Sequence, residues 1–248
     1  MIENKPYLNA VELLKKLIAT PSFSKEEDKT AYIIEQFFKD KNIPSNRLLN
    51  NVWCVNKYFD ENKPTILLNS HHDTVKPNPQ YSKDPFLPII EDTRPDDLVV
   101  QGKLFGLGSN DAGGCLVSLI AAFCHFYEMQ NLKYNIVIAA TAEEEISGAA
   151  GIEKLLASAE FNSPFRGLGG AWGLWGVIVG EPTLTNLAIA EKGLLVLDCT
   201  ATGKAGHAAR EEGDNAIYKA MKDISWFQTY QLLCNPVPAI LFRQWLNW

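Results

Sequence analysis

No run of basic residues occurs anywhere in this 248-residue chain, whose 23 lysines and arginines are outnumbered by 29 acidic residues for a net charge of -6. Without a positive patch to meet phosphates, nucleic acid and anionic membrane are excluded as main partners, and a small molecule becomes the default ligand. Long hydrophobic runs are missing too: none approaches the roughly 20 residues that a bilayer-spanning helix needs. Cysteine is sparse. The five present (Cys54, Cys115, Cys124, Cys199 and Cys234) are an odd number and form no C-x-x-C pair. Neither a disulfide framework nor a structural zinc knuckle is indicated, and a reducing cytoplasm fits best. The first residues, Met1 to Pro6, lack the basic and then apolar pattern of a secretory signal. Histidine is scarce as well, with four residues, at positions 71, 72, 125 and 207.

What is present is enough for a core, since 46% of the residues are hydrophobic and the length suits one large or two modest domains. Residues 9–19 carry Ala10, Leu13, Leu14, Leu17 and Ile18 at helical spacing before Pro21. Ser24 and Glu27 then read as a capping box for a second helix running through Phe38. Val52–Val55 and Thr65–Asn69 read as strands on either side of an Asn62-Lys63-Pro64 turn. Residues 76–97, rich in proline and charge, read as a long loop or excursion. Leu116 to Tyr127 suits a buried helix, Asn135 to Thr141 a buried strand and Gly148 to Ala157 another helix. This alternation predicts an α/β fold with a mostly parallel sheet flanked by helices, whose ligands gather outside the carboxyl ends of the strands. Beyond Glu181 the texture changes: residues 187–191 and 194–202 alternate like a hairpin around Lys192-Gly193. The expected division is therefore a catalytic segment over 1–186, the start of a smaller α+β lid over 187–230, and an atypical tail over 231–248.

The ends of those apolar runs hold the chemistry-bearing side chains, in the order His71, Asp73, Asp111, Glu144, Glu145 and Glu181. Taken one at a time they are unremarkable: an Asp in a glycine-lined turn caps helices, and consecutive glutamates are usually a solvated face. Together, each just past an apolar segment, they suit a pair of divalent cations at the end of a sheet. In an extended segment His71 and Asp73 project to the same side, so the carboxylate is placed to fix the tautomer of a ligating imidazole. The reading that follows has Asp111 bridging two ions, with His71 and Glu145 as terminal ligands and Glu181 completing one site. Glu144 is then free to take a proton from water and pass it to a leaving amine. Mixed imidazole and carboxylate donors favour zinc, with cobalt or manganese as substitutes. His125, inside an apolar helical stretch, reads as a packed residue.

At Leu67–Val75, Gly106–Gly114, Thr141–Glu145 and Val179–Thr183 the chain resembles the M20 metallopeptidase family, and within it the acetylornithine deacetylase and succinyl-diaminopimelate desuccinylase branch. The resemblance covers about residues 7–223. It implies a zinc-exopeptidase-like catalytic domain with two zinc ions bound by His71, Asp111, Glu145 and Glu181, Asp73 orienting the histidine and Glu144 as general base. It also implies a lid that forms a homodimer, in which His207 of the Gly206-His207-Ala208-Ala209 segment reaches the partner's active site and stabilises the oxyanion. The substrate it implies is an N-acyl amino acid, N-acetylornithine or N-succinylornithine of arginine biosynthesis first. Succinyl-diaminopimelate and di- or tripeptides are the alternatives.

The chain departs from the family pattern in one respect. After the lid the family returns to its catalytic domain with a last metal-binding histidine, and here no histidine follows position 207. Residues 231–248 read as an early stop or a change of reading frame. From this we expect one metal site weaker than the other, exposed apolar surface at the lid and sheet edge, and, as an alternative, a metal-binding chain with impaired turnover.

Overall fold

Apolar residues spaced for helices and for strands sort themselves onto the two faces of one sheet in a computed structural model, which describes residues 5–92, 102–162, 174–184, 186–188, 198–207, 209–210 and 212–230. The chain divides into two compact units, Met1–Leu187 and Ala188–Trp248.

In the first unit, α1 (Lys5–Ile18) and α2 (Asp28–Asp40) precede β1 (Asn46–Leu48), β2 (Asn51–Val55) and β3 (Thr65–His71). After β4 (Ile89–Asp92) and β5 (Gly102–Phe105) come α3 (Gly114–Phe126) and β6 (Asn135–Thr141). The short helices α4 (Ile152–Ala157) and α5 (Ala159–Asn162) lead to β7 (Leu174–Val179). The five-stranded sheet has the order β1-β2-β6-β3-β7. Its β6, β3 and β7 run parallel, whereas β1 and β2 join antiparallel at one edge. The α/β expectation holds, with a mixed sheet in place of a mostly parallel one.

Strand periodicity explains why β3 and β6 look uniformly apolar. Leu67, Val137, Ala139 and Trp53 of β2 point into one core cluster with Leu155 and Phe161. The alternate residues Leu68, Ile138, Ala140, Val52 and Cys54 point into the other, against α1, α2 and α3. A strand covered on both faces has no solvent side to make polar. On α2, Ala31, Ile34 and Phe38 share one face and are fully buried, as spacing near 3.6 residues per turn requires. At the far edge β7 is less covered, with Trp175, Val177, Ile178 and Val179 at least half exposed.

Three local expectations are corrected. The capping box is not formed: α2 begins after Glu27, whose side chain makes no cap hydrogen bond, because both Ser24 and Glu27 are drawn into longer-range contacts described below. The stretch read as one loop contains β4, which pairs antiparallel with β5 in a separate two-stranded sheet. The helix expected from Gly148 starts only at Ile152, since the preceding residues form tight turns closed by Ser147 N to Glu144 O and Gly148 N to Glu143 O.

The second unit contains α6 (Ala216–Thr229), capped by the Asn215 side chain, which accepts from the Ile217 backbone N–H at 2.8 Å. Trp226 and Tyr230 rings meet at 4.5 Å. The hairpin turn expected around Lys192-Gly193 and the tail 231–248 lie outside the described residues. No described helix is long and apolar enough to cross a membrane.

The cysteines are not uniformly core residues. Cys54 is buried, Cys115 and Cys124 are partly buried and Cys199 is exposed. Burial raises the Cys54 thiol far above its ordinary range and pushes Cys124 up to about 11. Alkylation of the folded chain near pH 8 should therefore modify Cys199 while sparing Cys54 and Cys124, which react only on unfolding. Peptide mass spectrometry reads this directly, and Cys54 labelling as fast as Cys199 would refute the packing described.

Candidate metal centre

His71 is the last residue of β3, and the strand delivers it to the carboxyl end of the parallel part of the sheet. Its ring is almost fully buried, at 1% exposure. Nδ1 faces the Asp73 backbone carbonyl at 3.1 Å and the Asp73 carboxylate at 3.3 Å. Both neighbours are acceptors, so Nδ1 carries a hydrogen and Nε2 is the atom left for a ligand. Nε2 lies 3.1 Å from Asp111 Oδ1, 3.7 Å from Glu144 Oε2 and 4.0 Å from Glu181 Oε1.

Asp111 stands in a kinked turn, Ser109–Gly113, immediately before α3. The turn can close so tightly because of Gly113: a Cβ there would meet the Gly108 carbonyl oxygen at 2.4 Å and Leu14 Cδ1 at 2.7 Å. Gly113→Ala should push the Asp111 turn outward at a cost of about 1–3 kcal/mol. A lowered urea midpoint together with weaker zinc binding would be the result, and an unchanged midpoint would show that the close approach is not required.

Glu144 and Glu145 follow β6 after a turn in which Glu143 takes the left-handed conformation (φ 55). Four consecutive backbone N–H groups in this turn are held by side chains from elsewhere. Ala142 N donates to Asn51 Oδ1 at 3.1 Å and Glu143 N to Glu27 Oε1 at 3.2 Å. Glu144 N donates to Asp73 Oδ1 at 3.1 Å and Glu145 N to Asp73 Oδ2 at 3.2 Å. Ser24 Oγ donates to the same carboxylate at 2.7 Å. Asp73 is thus a fully buried anion with every neighbour a donor, and these bonds outweigh the burial that opposes its charge and hold its pKa low.

Electrostatics mark the cluster as cation-seeking. Burial disfavours a charged His71, but the hydrogen bond and charge of Asp73, with the charges of Glu144 and Glu181, outweigh it and lift its pKa to about 9. Burial and the negative charge of Asp111 raise the Glu145 pKa. His71, Asp111 and Glu145 each offer one ligand atom, and these atoms all lie within 4.8 Å of one another. One imidazole nitrogen with carboxylate oxygens at this spacing suits a divalent ion of the zinc, cobalt or manganese type, so the donor set fits the metal that the sequence implied.

The first unit therefore brings together His71, Asp73, Asp111, Glu144, Glu145 and Glu181. His207 belongs to the second unit, where it is exposed and its Nδ1 accepts from the Ala209 backbone N–H at 3.1 Å. His72, adjacent to the centre, is turned away from it. Its Nε2 donates to the Asn50 carbonyl at 2.9 Å and its Nδ1 faces Thr30 Oγ1 at 2.9 Å, and burial pulls its pKa down. His125 lies on α3, edge-on to Phe126, but it is exposed and not the packed residue expected. Sequence reasoning missed Ser24, Glu27 and Asn51 as supports of the site; Glu27 and Asn51 are both fully buried.

A model of peptidase family M20/M25/M40 matches residues 67–237. The acetylornithine deacetylase of Buchnera aphidicola subsp. Schizaphis graminum is 27% identical over 221 residues, 84% of this chain and 52% of that protein. The succinyl-diaminopimelate desuccinylase of Beijerinckia indica subsp. indica is 27% identical over 232 residues, 86% of this chain and 55% of that protein. The chain spans about half the length of these curated relatives. Among solved structures, an M20 family metallo-carboxypeptidase from Sulfolobus solfataricus shares the fold, with a TM-score of 0.52 and 21% identity over 73% of this chain and 37% of that one. With the family's model matched over more than half of its length, this chain belongs to peptidase family M20/M25/M40.

Proposed function

We propose that the chain carries the metal centre of a cytoplasmic hydrolase that removes the acyl group from an N-acyl amino acid, N-acetylornithine or N-succinylornithine of arginine biosynthesis first among them. The observation that carries this reading is the convergence of His71, Asp111 and Glu145 within 4.8 Å, with the carboxylate of Glu144 beside them. The names of the acetylornithine deacetylase and succinyl-diaminopimelate desuccinylase relatives support the substrate class. His71, Asp111, Glu145 and Glu181 would hold the metal, zinc by the chemistry of these donors. Residues 187–230 contribute to a lid and homodimer interface, through which His207 reaches the partner's site.

When bound, such ions supply Lewis-acid polarisation of the amide carbonyl and make water more acidic near neutral pH. The residues of the chain do the rest. Asp73 keeps the hydrogen on His71 Nδ1, so that Nε2 faces the site. Glu144, half exposed at the mouth, accepts a proton from the attacking water on its carboxylate oxygen and delivers it to the nitrogen of the leaving amine.

A second reading is a metal-binding chain with little or no turnover: among the described residues of the first unit His71 is the one histidine in the cluster, since His72 is bonded to the Asn50 carbonyl and His125 lies beside Phe126 on the exposed side of α3. Assaying the zinc-loaded chain on acetylornithine, succinylornithine, succinyl-diaminopimelate and a dipeptide side by side separates the readings. Turnover led by an acylornithine supports the first, and preference for either of the other two substrates reassigns the specificity. Stoichiometric zinc without turnover of any of the four establishes the second.

A further inference from the structure

We infer that Glu27 is a positioning residue for the metal centre, acting through the Glu143 backbone to aim Glu144 and Glu145. The inference rests on the metal-centre reading above and extends it to a residue that touches neither metal nor substrate. Glu27 lies just before α2 and is fully buried, a placement that an ionisable side chain tolerates only when its oxygens are satisfied. Here they are satisfied by groups of very different origin. Oε1 accepts from the Lys25 backbone N–H at 2.7 Å and from the Glu143 backbone N–H at 3.2 Å, while Oε2 accepts from Asn50 Nδ2 at 2.8 Å.

The bond to Glu143 is the consequential one. Glu143 has φ 55, a left-handed conformation that costs a non-glycine residue about 1 kcal/mol or more and persists only where its surroundings enforce it. That conformation turns the chain sharply after β6, so that the next two N–H groups reach Asp73 and the next two carboxylates face His71. Asn51 holds the N–H of the residue before and Asp73 those of the two residues after, and Glu27 holds the N–H of Glu143 itself, whose carbonyl and carboxylate are tied forward to the Gly148 and Ala150 N–H groups. The carbonyl of Asn50, whose amide donates to Glu27, also accepts from His72, the neighbour of His71. One buried carboxylate therefore braces the turn that carries Glu144 and Glu145 directly and, through Asn50, the segment that carries His71.

Two milder variants test the idea better than alanine. Glu27→Gln keeps the length of the side chain and an oxygen for the Lys25 and Glu143 N–H groups, and its NH₂ group gains an acceptor once the partly exposed Asn50 amide turns over and releases Arg47. Glu27→Asp keeps the charge but withdraws it by one methylene, out of reach of Glu143. The dissociation constant for zinc, read by competition with a chromogenic chelator on the full chain, should rise about 10- to 100-fold in Glu27→Asp, the size of effect seen when partners of metal ligands are lost. It should stay within about threefold of wild type in Glu27→Gln. Phe123→Leu, towards the far end of α3, serves as a destabilised control and should leave the constant unchanged. Wild-type affinity in Glu27→Asp, or an equal shift in all three variants, overturns the inference. A wild-type chain that takes up no zinc sinks the metal-centre reading instead, which keeps the two failures apart.

Discussion

Glu144→Gln is expected to lower kcat in the proposed deacylation by about 10²- to 10⁴-fold while leaving the amount of bound zinc unchanged. The amide matches the carboxylate in size and keeps an oxygen, so the side chain still fills the mouth of the site, where Glu144 Oε2 approaches His71 Nε2 to 3.7 Å. What it loses is basicity: it cannot take a proton from water or return one to the amine. The backbone is unaffected, because the clamp on this residue runs from its N–H to Asp73 rather than through its side chain. Zinc measured alongside kcat makes the outcome specific. Loss of zinc would make Glu144 a ligand, and an unchanged kcat would place the base elsewhere. Glu145→Gln should behave in the opposite way and weaken zinc first, since Glu145 is one of the three residues whose ligand atoms converge.

Asp73→Ala should cost about 3–5 kcal/mol of stability, the range for removing one partner of a buried charged network, and should also weaken zinc. The carboxylate has no exposure and accepts from Ser24 Oγ and from the backbone N–H groups of Glu144 and Glu145, with the His71 ring alongside. Deleting it leaves several donors without acceptors in a site too buried for water to replace them all, and each such orphan costs on the order of 1–3 kcal/mol. Asp73→Asn is no remedy, because an NH₂ group would face donors on one side. Chemical denaturation of the metal-free chain isolates the stability term, and a change below about 1 kcal/mol would mean that the network is looser than its distances imply.

The residues that gather around His71 were legible in the sequence as a set, because each follows a segment whose own residues reveal it. His71, Asp111, Glu145 and Glu181 all end an apolar or glycine-rich stretch, and a strand or turn that short can be read from its own residues. The supports were not legible, because what they do depends on partners far along the chain. Glu27 meets Glu143 across 116 residues and Asn51 meets Ala142 across 91. Ser24 and Glu27 carry the spacing of a local capping box, yet their oxygens serve Asp73, Glu143 and Asn50. Tertiary partners outcompeted the helix terminus for them, an acceptor in the case of Ser24 and donors in the case of Glu27, and no local pattern distinguishes the two outcomes. The β4 strand was hidden for a related reason: four residues amid prolines carry too little alternation, and only the pairing with β5 makes them a strand. The antiparallel edge of β1 and β2 escaped because strand direction is set by the connections, not by composition.

The central claim is that His71, Asp111, Glu145 and Glu181 form one site for divalent metal. Its most direct test is the zinc content of the purified chain after equilibration with zinc and removal of the excess, measured by plasma mass spectrometry beside His71→Ala. Stoichiometric zinc is expected in the wild type and its loss in the variant, since among the described residues of the cluster His71 supplies the one nitrogen donor and the most buried ligand. A folded wild-type chain with no bound zinc, or a variant that retains as much as the wild type, would contradict it.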